Sequence, residues 1–132
     1  MIVVDASAAL EVLLNTPTAQ RIAARLFAPG ETLHAPHLID VEVAQVLRRL
    51  HRRGEIDAAR ATQALEDLTD LPLVRHPHGV LLTRVWDLRD NATAYDASYL
   101  ALAEALGAVL VTCDGALAAV PGCGAEVEVI AV

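Results

Sequence analysis

Two acidic residues stand directly after short apolar runs of β-branched residues. Asp5 follows Ile2-Val3-Val4, and Asp114 comes two residues after the run from 109 to 112. Runs of this kind are typical of strands buried in a parallel sheet. Ligands of open α/β sheets bind outside the carboxyl ends of the strands. If the two strands are parallel neighbours, both carboxylates lie at one edge of the sheet.

Two further acids lie on the apolar faces of predicted helices. Glu42 is placed beside the stripe that Ile39 and Val46 form on the third helix, and Asp96 shares a face with Leu100. Carboxylates are rarely buried unless they are paired or bind a metal. Because the third helix starts at the carboxyl end of a predicted strand, we expect Glu42 near the first strand-end acid. The placement of Asp96 rests on spacing alone.

Convergence of the four acids would create a site for a hard cation. Like charges at short range raise one another's pKa values and destabilise the metal-free protein unless cations compensate. Ligands that are all oxygen suit Mg²⁺ or Mn²⁺. Such sites hydrolyse phosphodiesters when two ions, ~3.5–4 Å apart, hold the attacking and leaving oxygens.

Three of these acids also have an ordinary structural interpretation. Asp5 occupies a position where Asp commonly caps a helix. Asp114 precedes Gly115 and is compatible with a simple turn. Asp96 lies three residues after Thr93 and is compatible with a local capping arrangement. The metal site is therefore favoured by the set of acids and not by any one of them.

Composition limits the class of protein. A chain of 132 residues fits one domain, residues 1–132, which buries roughly two thirds of its unfolded surface. The net charge of −7 disfavours indiscriminate nucleic-acid binding, although acids that bind cations can recruit phosphate. Two cysteines are too few for a disulfide framework. Without a signal-peptide pattern or an apolar run near ~20 residues, we expect a cytoplasmic protein with no membrane segment.

The elements that position the acids follow from periodicity and from cap and turn residues. Strands alternate with helices, which predicts an α/β fold with a mostly parallel sheet covered on both faces. Thr16 and Pro17 predict the N-cap and first turn of the second helix. Strands are predicted at 2–4, 32–35, 71–74, 109–112 and 127–130, and helices at 6–14, 17–27, 38–53, 57–69, 78–88, 93–106 and 116–119.

With these residues in place, the sequence resembles the PIN-domain ribonucleases of the VapC toxin family. The resemblance covers the whole chain and rests on residues 4–8, 40–43, 95–99 and 112–114, in that order. It implies a PIN-like three-layer α/β/α sandwich with about five strands and about seven helices. By position it implies that Asp5, Glu42, Asp96 and Asp114 hold Mg²⁺ or Mn²⁺ and that Ser7 and Thr112 assist them.

The same resemblance implies a function. It is that of a metal-dependent endoribonuclease, the toxin of a toxin–antitoxin pair, which hydrolyses RNA phosphodiesters with metal-activated water. The implied partners are RNA, a cognate antitoxin that blocks the site, and a second copy of the chain in a homodimer. Two alternatives are a catalytically silent α/β interaction domain and a receiver-like phosphoacceptor module. Receiver modules resemble one another in a Lys near the site, and this chain contains no Lys.

Several other polar or aromatic residues have both structural and functional interpretations. The four arginines between 48 and 53 are read first as a solvated helix end favoured by the macrodipole, with RNA-backbone contact as the alternative. Trp86, Tyr95 and Tyr99 are expected in core packing or a dimer contact rather than stacked on a base. The pair of histidines at 76 and 78 is expected in a surface loop.

Overall fold

The chain forms a parallel five-stranded sheet flanked by helices in a computed structural model that describes residues 1–132. The strand order is β3-β2-β1-β4-β5, and every neighbouring pair is parallel. The predicted α/β class and the number of strands are therefore confirmed. The strands are β1 (Ile2–Val4), β2 (Leu33–Pro36), β3 (Leu73–His76), β4 (Val109–Thr112) and β5 (Val127–Val129).

Six α-helices and two 3₁₀ segments connect the strands, close to the predicted seven helices. The 3₁₀ segments are Gly79–Leu81 and Gly115–Ala119. The predicted helix at 78–88 is therefore divided into a 3₁₀ turn and a short α-helix. The α-helices are α1 (Ala6–Leu13), α2 (Ala19–Leu26), α3 (Leu38–Arg52), α4 (Ala58–Asp70), α5 (Leu82–Asp87) and α6 (Ala94–Leu106).

Two predicted boundaries are wrong by about two residues. Helix α2 begins at Ala19 because the Thr16 hydroxyl hydrogen-bonds Glu11 instead of capping, and Thr18 takes the N-cap position. Strand β3 begins at Leu73 because Leu71 is still the C-cap of α4 and donates its N–H to Asp67 O. Both errors lie at the ends of elements, where a single local hydrogen bond moves a boundary by one or two residues.

The order in which the strands are added to the sheet reverses direction once. The connections from β1 to β2 and from β2 to β3 move outward one way, and the connection from β3 to β4 returns to the other side of β1. Since crossovers are right-handed, α1 to α4 cover one face and α5 and α6 the other, which gives three layers. The reversal at β1 and β4 is a topological switch point, where a crevice opens at the carboxyl ends.

The core lies on both faces of the central strands. Ile2, Val3 and Val4 of β1 and Leu110 and Val111 of β4 are all essentially inaccessible to solvent. A single cluster of 29 buried hydrophobic residues includes both strands and residues of α1, α3, α4 and α6. Burying two neighbouring strands so completely fixes the positions at which their carboxyl ends emerge.

Neither cysteine forms a disulfide, and no helix has the length and apolar character needed to cross a bilayer.

Candidate metal centre

One cleft at the switch point contains all four acids singled out from the sequence. Its volume is about 610 Å³, and Asp5, Glu42, Asp96 and Asp114 all lie in its wall. Asp5 and Asp114 follow the carboxyl ends of β1 and β4. Glu42 belongs to α3, and Asp96 belongs to the first turn of α6. The structure thus brings together residues that are up to 109 positions apart in the chain.

Asp5 does not use its side chain as a helix cap, although it occupies the N-cap position of α1. Its Oδ2 accepts hydrogen bonds from Ser7 Oγ at 2.6 Å and from Thr112 Oγ1 at 2.8 Å. The carboxyl group is buried, with the residue only 7% exposed. Two hydroxyl donors therefore hold the buried carboxylate in place, and the capping interpretation is wrong.

The Thr112 hydroxyl joins the ends of the two central strands. Besides donating to Asp5, Thr112 Oγ1 accepts the backbone N–H of Asp114 at 3.0 Å. Ser7 Oγ in turn accepts the N–H of Cys113 at 3.0 Å. Thr112 is fully buried, so its hydroxyl is shielded from competing water.

Glu42 is held by a tyrosine that belongs to a different helix. The Tyr99 hydroxyl donates to Glu42 Oε1 at 2.6 Å, and Tyr99 itself is fully buried. Burial raises the pKa of Glu42, the hydrogen bond from Tyr99 opposes that rise, and the charges of Asp5 and Asp96 add to it. Burial and the adjacent Glu42 raise the pKa of Tyr99, so its hydroxyl stays protonated and donates.

The Asp114 carboxylate forms a local hydrogen bond, whereas the Asp96 carboxylate does not. The Asp96 N–H donates to Thr93 Oγ1 at 3.1 Å, so Thr93 caps α6 and the Asp96 carboxylate is not needed for capping. Burial and the charges of Asp5 and Asp114 raise the pKa of Asp96. Asp114 is exposed, and its Oδ1 accepts the N–H of Ala116 at 2.9 Å, as the turn interpretation predicts.

The four carboxylates of this acidic cleft form no ion pair within the chain. None of the ion pairs of the molecule involves any of the four carboxylates. No three side chains of His, Cys, Asp or Glu converge closely enough to hold one ion by themselves. The cleft is thus a concentration of carboxylate oxygens spread over its walls rather than a closed cage.

The histidine prediction is partly wrong, and of the two places predicted for the aromatic residues, the core is excluded for Tyr95 and Trp86, whose dimer contact stays a prediction. Tyr95 is 62% exposed and lines the acidic cleft, and Trp86 is 67% exposed beside the Arg89 guanidinium, so neither is a core residue. His76 belongs to β3 instead of a loop, whereas His78 is exposed in the loop that follows.

Tyr99 is the residue of the site that sequence reasoning missed. It is a core residue, as expected, but its hydroxyl reaches Glu42, which is 57 positions away. The available signal was its spacing from Asp96, because residues three apart on a helix lie on the same face.

Comparison with known proteins assigns the family. Residues 2–122 match the PIN domain family. Ribonuclease VapC9 of Mycobacterium tuberculosis is 50% identical over 114 residues, which are 86% of each chain. Ribonuclease VapC12 of the same organism is 43% identical over 131 residues, 99% of this chain and 100% of that one.

A solved structure shows the same fold. The crystal structure of VapBC2 from Rickettsia felis, bound to a DNA fragment from their promoter, contains a chain similar to this one with a TM-score of 0.70. The similarity covers 97% of this chain and 98% of that chain at 15% sequence identity. The chain therefore belongs to the PIN-domain family and, within it, to the VapC ribonucleases, the toxin endoribonucleases of toxin–antitoxin pairs. This membership favours the ribonuclease over the receiver-like module and the silent domain.

Proposed function

We propose that this chain cleaves RNA in a reaction that depends on Mg²⁺ or Mn²⁺ bound in the acidic cleft. The observation that carries the proposal is the presence of four carboxylates in one cleft, none of which forms an ion pair within the chain. The proposed metal-binding residues are Asp5, Glu42, Asp96 and Asp114, with Ser7 and Thr112 in support.

The donor set fits a hard divalent cation. All candidate ligands are carboxylate oxygens, which Mg²⁺ and Mn²⁺ prefer over nitrogen or sulfur. Mg²⁺ usually keeps several waters and is held by one or two carboxylates together with substrate phosphates. A spread of acids over the cleft walls suits that mode of binding, since it does not require three side chains to meet at one point. Burial and, in addition, repulsion from neighbouring carboxylates raise the pKa values of Glu42 and Asp96, and bound cations would relieve that repulsion.

The residues of the chain have distinct roles in this proposal. When bound, the divalent ion supplies polarisation of the phosphoryl oxygens and a water of lowered pKa. Asp5 is oriented by the Ser7 and Thr112 hydroxyls, which engage only its Oδ2. Glu42 is oriented by Tyr99 in the same way through Oε1. Each carboxylate therefore has a second oxygen, Asp5 Oδ1 or Glu42 Oε2, that forms no side-chain hydrogen bond within the chain.

The residues near the cleft favour attack by water over a covalent intermediate. The Ser7 hydroxyl donates a hydrogen bond to Asp5 Oδ2 and accepts one from Cys113 N, so it has a structural role. Burial raises the pKa of the Cys113 thiol, which leaves it protonated and a poor nucleophile. We infer that hydrolysis proceeds in a single displacement by water.

We also propose the partners and setting of the reaction. A cognate antitoxin would block the acidic cleft, and an Arg of that partner can pair with carboxylates in bidentate fashion. The VapBC2 assembly of Rickettsia felis supports a partner of this kind. We further propose that residues 1–132 act as one domain, that two copies form a homodimer, and that the protein works on RNA in the cytoplasm.

A matched pair of variants on one helix tests the role of the acids. Glu42→Gln changes a carboxylate in the cleft, whereas Asp40→Asn changes one outside it that pairs with Arg75 at 2.8 Å. We expect Glu42→Gln to slow cleavage of labelled RNA by at least about 100-fold, because loss of a residue that merely orients a metal ligand already costs about 10- to 100-fold. Asp40→Asn should cleave at nearly the wild-type rate. Equal rates for the two variants would refute the assignment.

A further inference from the structure

The arginines of the chain fall into two groups by whether a protein group engages them. The chain has ten arginines and no lysine. Six of them donate to carboxylates or backbone carbonyls: Arg21, Arg25, Arg60, Arg75, Arg84 and Arg89. The remaining four have no hydrogen bond or ion pair through their side chains, and all lie at the end of α3 or directly after it: Arg48, Arg49, Arg52 and Arg53.

Only one of these four arginines, Arg49, faces the acidic cleft. The wall that α3 contributes consists of residues spaced three or four apart, which defines one continuous helix face. Arg49 follows Glu42 by two turns, so the Cα atoms of the two residues are about 10 Å apart along the helix axis. The cleft residues of α3 are Leu38, Val41, Glu42, Gln45, Val46 and Arg49.

Arg49 remains exposed and unpaired although it shares this face with a carboxylate. Its guanidinium has five donors with no acceptor in the chain, and Gln45 lies between it and Glu42. The start of α6 contributes the exposed ring of Tyr95 to the wall of the same cleft. A free cation and an exposed aromatic ring beside one groove are the features that bind single-stranded nucleic acid.

We infer that Arg49 binds a phosphate of single-stranded RNA next to the phosphate that is cleaved, so that the strand runs along α3 from Glu42 towards Arg49. The inference rests on the proposed function, because the acids mark where the scissile phosphate lies. A guanidinium group can bind phosphate through two parallel hydrogen bonds, so an arginine fits this role better than a lysine does. Attraction to the helix dipole would favour all four arginines alike and does not explain why only Arg49 faces the cleft.

The experiment compares neighbouring arginines in a chain that binds RNA without cutting it. Arg49→Gln, Arg49→Lys and Arg48→Gln are each combined with Asp5→Asn. Binding of a fluorescent random-sequence single-stranded RNA is measured by anisotropy with Mg²⁺ at several salt concentrations. Arg48 is the matched control because it is exposed and lies beside Arg49, yet outside the cleft.

We expect Arg49→Gln to weaken binding by about tenfold, the loss of one charge-assisted contact. The slope of log affinity against log salt should become shallower by about 0.7, the value for one phosphate contact to a single strand. Arg49→Lys should restore the slope and part of the affinity. Arg48→Gln should change affinity by less than about twofold, and thermal unfolding should be the same for all variants.

The outcomes separate this inference from the proposed function. If the Asp5→Asn parent degrades the RNA, the proposed site is wrong and the inference falls with it. If the RNA stays intact and bound, and Arg49→Gln and Arg48→Gln bind it equally, the inference alone is overturned. An Arg49→Gln variant that loses affinity with an unchanged salt slope also overturns it, because the residue would then not contact phosphate.

Discussion

The hydroxyl of Tyr99 on α6 donates a 2.6 Å hydrogen bond to Oε1 of Glu42 on α3. The bond connects two helices that approach the carboxyl ends of the strands from different parts of the chain. Tyr99 is buried, so its ring is fixed by packing and its hydroxyl has few alternatives to this acceptor. Such outer partners orient the residues that contact the metal in many metal sites. We therefore treat Tyr99 as a positioning residue for Glu42.

Tyr99→Phe should weaken metal-dependent cleavage without unfolding the chain. The variant keeps the buried ring and removes only the donor, at a cost of about 1–2 kcal/mol in the free energy of unfolding. We expect the Mn²⁺ concentration for half-maximal cleavage to rise by about 10-fold or more, with activity recovering at high Mn²⁺.

Tyr95→Phe is the matched control, since the Tyr95 hydroxyl has no hydrogen-bond partner in the chain. Its metal requirement should match that of the wild type. An unchanged metal requirement in Tyr99→Phe would show that the hydrogen bond has no positioning role.

Asp5→Asn should abolish cleavage and leave the fold intact. The amide oxygen of Asn can still accept the Ser7 and Thr112 hydroxyls, and the loss of one charge relieves repulsion with Glu42 and Asp96. In the presence of a chelator the melting temperature should equal or exceed that of the wild type. A variant that cuts RNA at the wild-type rate would remove Asp5 from the site.

Thr112→Val should destabilise the edge of the sheet at β1 and β4. The substitution removes the donor to Asp5 and the acceptor for Asp114 N, both in a fully buried position. We expect a loss of about 1–3 kcal/mol in the free energy of unfolding, measured by denaturant titration, together with slower cleavage. Thr112→Ser retains the hydroxyl and should keep most of the activity. If Val and Ser were equivalent in cleavage, the hydroxyl would be dispensable.

His34, which lies outside the acidic cleft, should make the free energy of unfolding depend on pH. Its Nδ1 lies 2.9 Å from His76 Nε2 on the neighbouring strand. Burial, the positive charge of His76 and the N-terminus lower the pKa of His34 below its ordinary value of 6.5. The unfolded chain therefore binds this proton at a higher pH than the folded chain does. The contribution of His34 is complete above pH 6.5 and is lost as the pH falls through the lowered folded value.

Urea unfolding from about pH 7.5 to about pH 5 tests the effect of His34. The unfolding midpoint of His34→Gln should fall less steeply with decreasing pH than that of the wild type. His51→Gln, at an exposed position near the end of α3, should leave the wild-type slope. Parallel curves for His34→Gln and the wild type would contradict the lowered pKa.

The parts of the fold with strong local signals were predictable from the sequence. The buried β-branched runs predicted β1 and β4 with their observed bounds. The cap of α4 at Asp57, which accepts from Arg60 N at 2.8 Å, and the left-handed Gly107 after α6 were also predictable. Each of these features depends on residues within one element and its cap.

The details of the site were less predictable because they depend on contacts across the fold. Local rules make Asp5 a helix cap, and only the position of Thr112 beside it shows that its carboxylate is engaged elsewhere. The role of Tyr99 depends on how α6 packs beside α3. Likewise, the spacing from Glu42 separates Arg49 from Arg48, but only the orientation of α3 shows that Arg49 lies in the wall of the cleft.

Cleavage of RNA by the purified chain, with and without a chelator, tests the central claim most directly. We expect Mg²⁺ or Mn²⁺ to support endonucleolytic cleavage, EDTA to stop it, and an excess of the divalent ion to restore it. The Asp5→Asn variant, purified and assayed in parallel, should remain inactive under all three conditions and so exclude a contaminating nuclease. Wild-type cleavage that continues unchanged in EDTA would contradict the account.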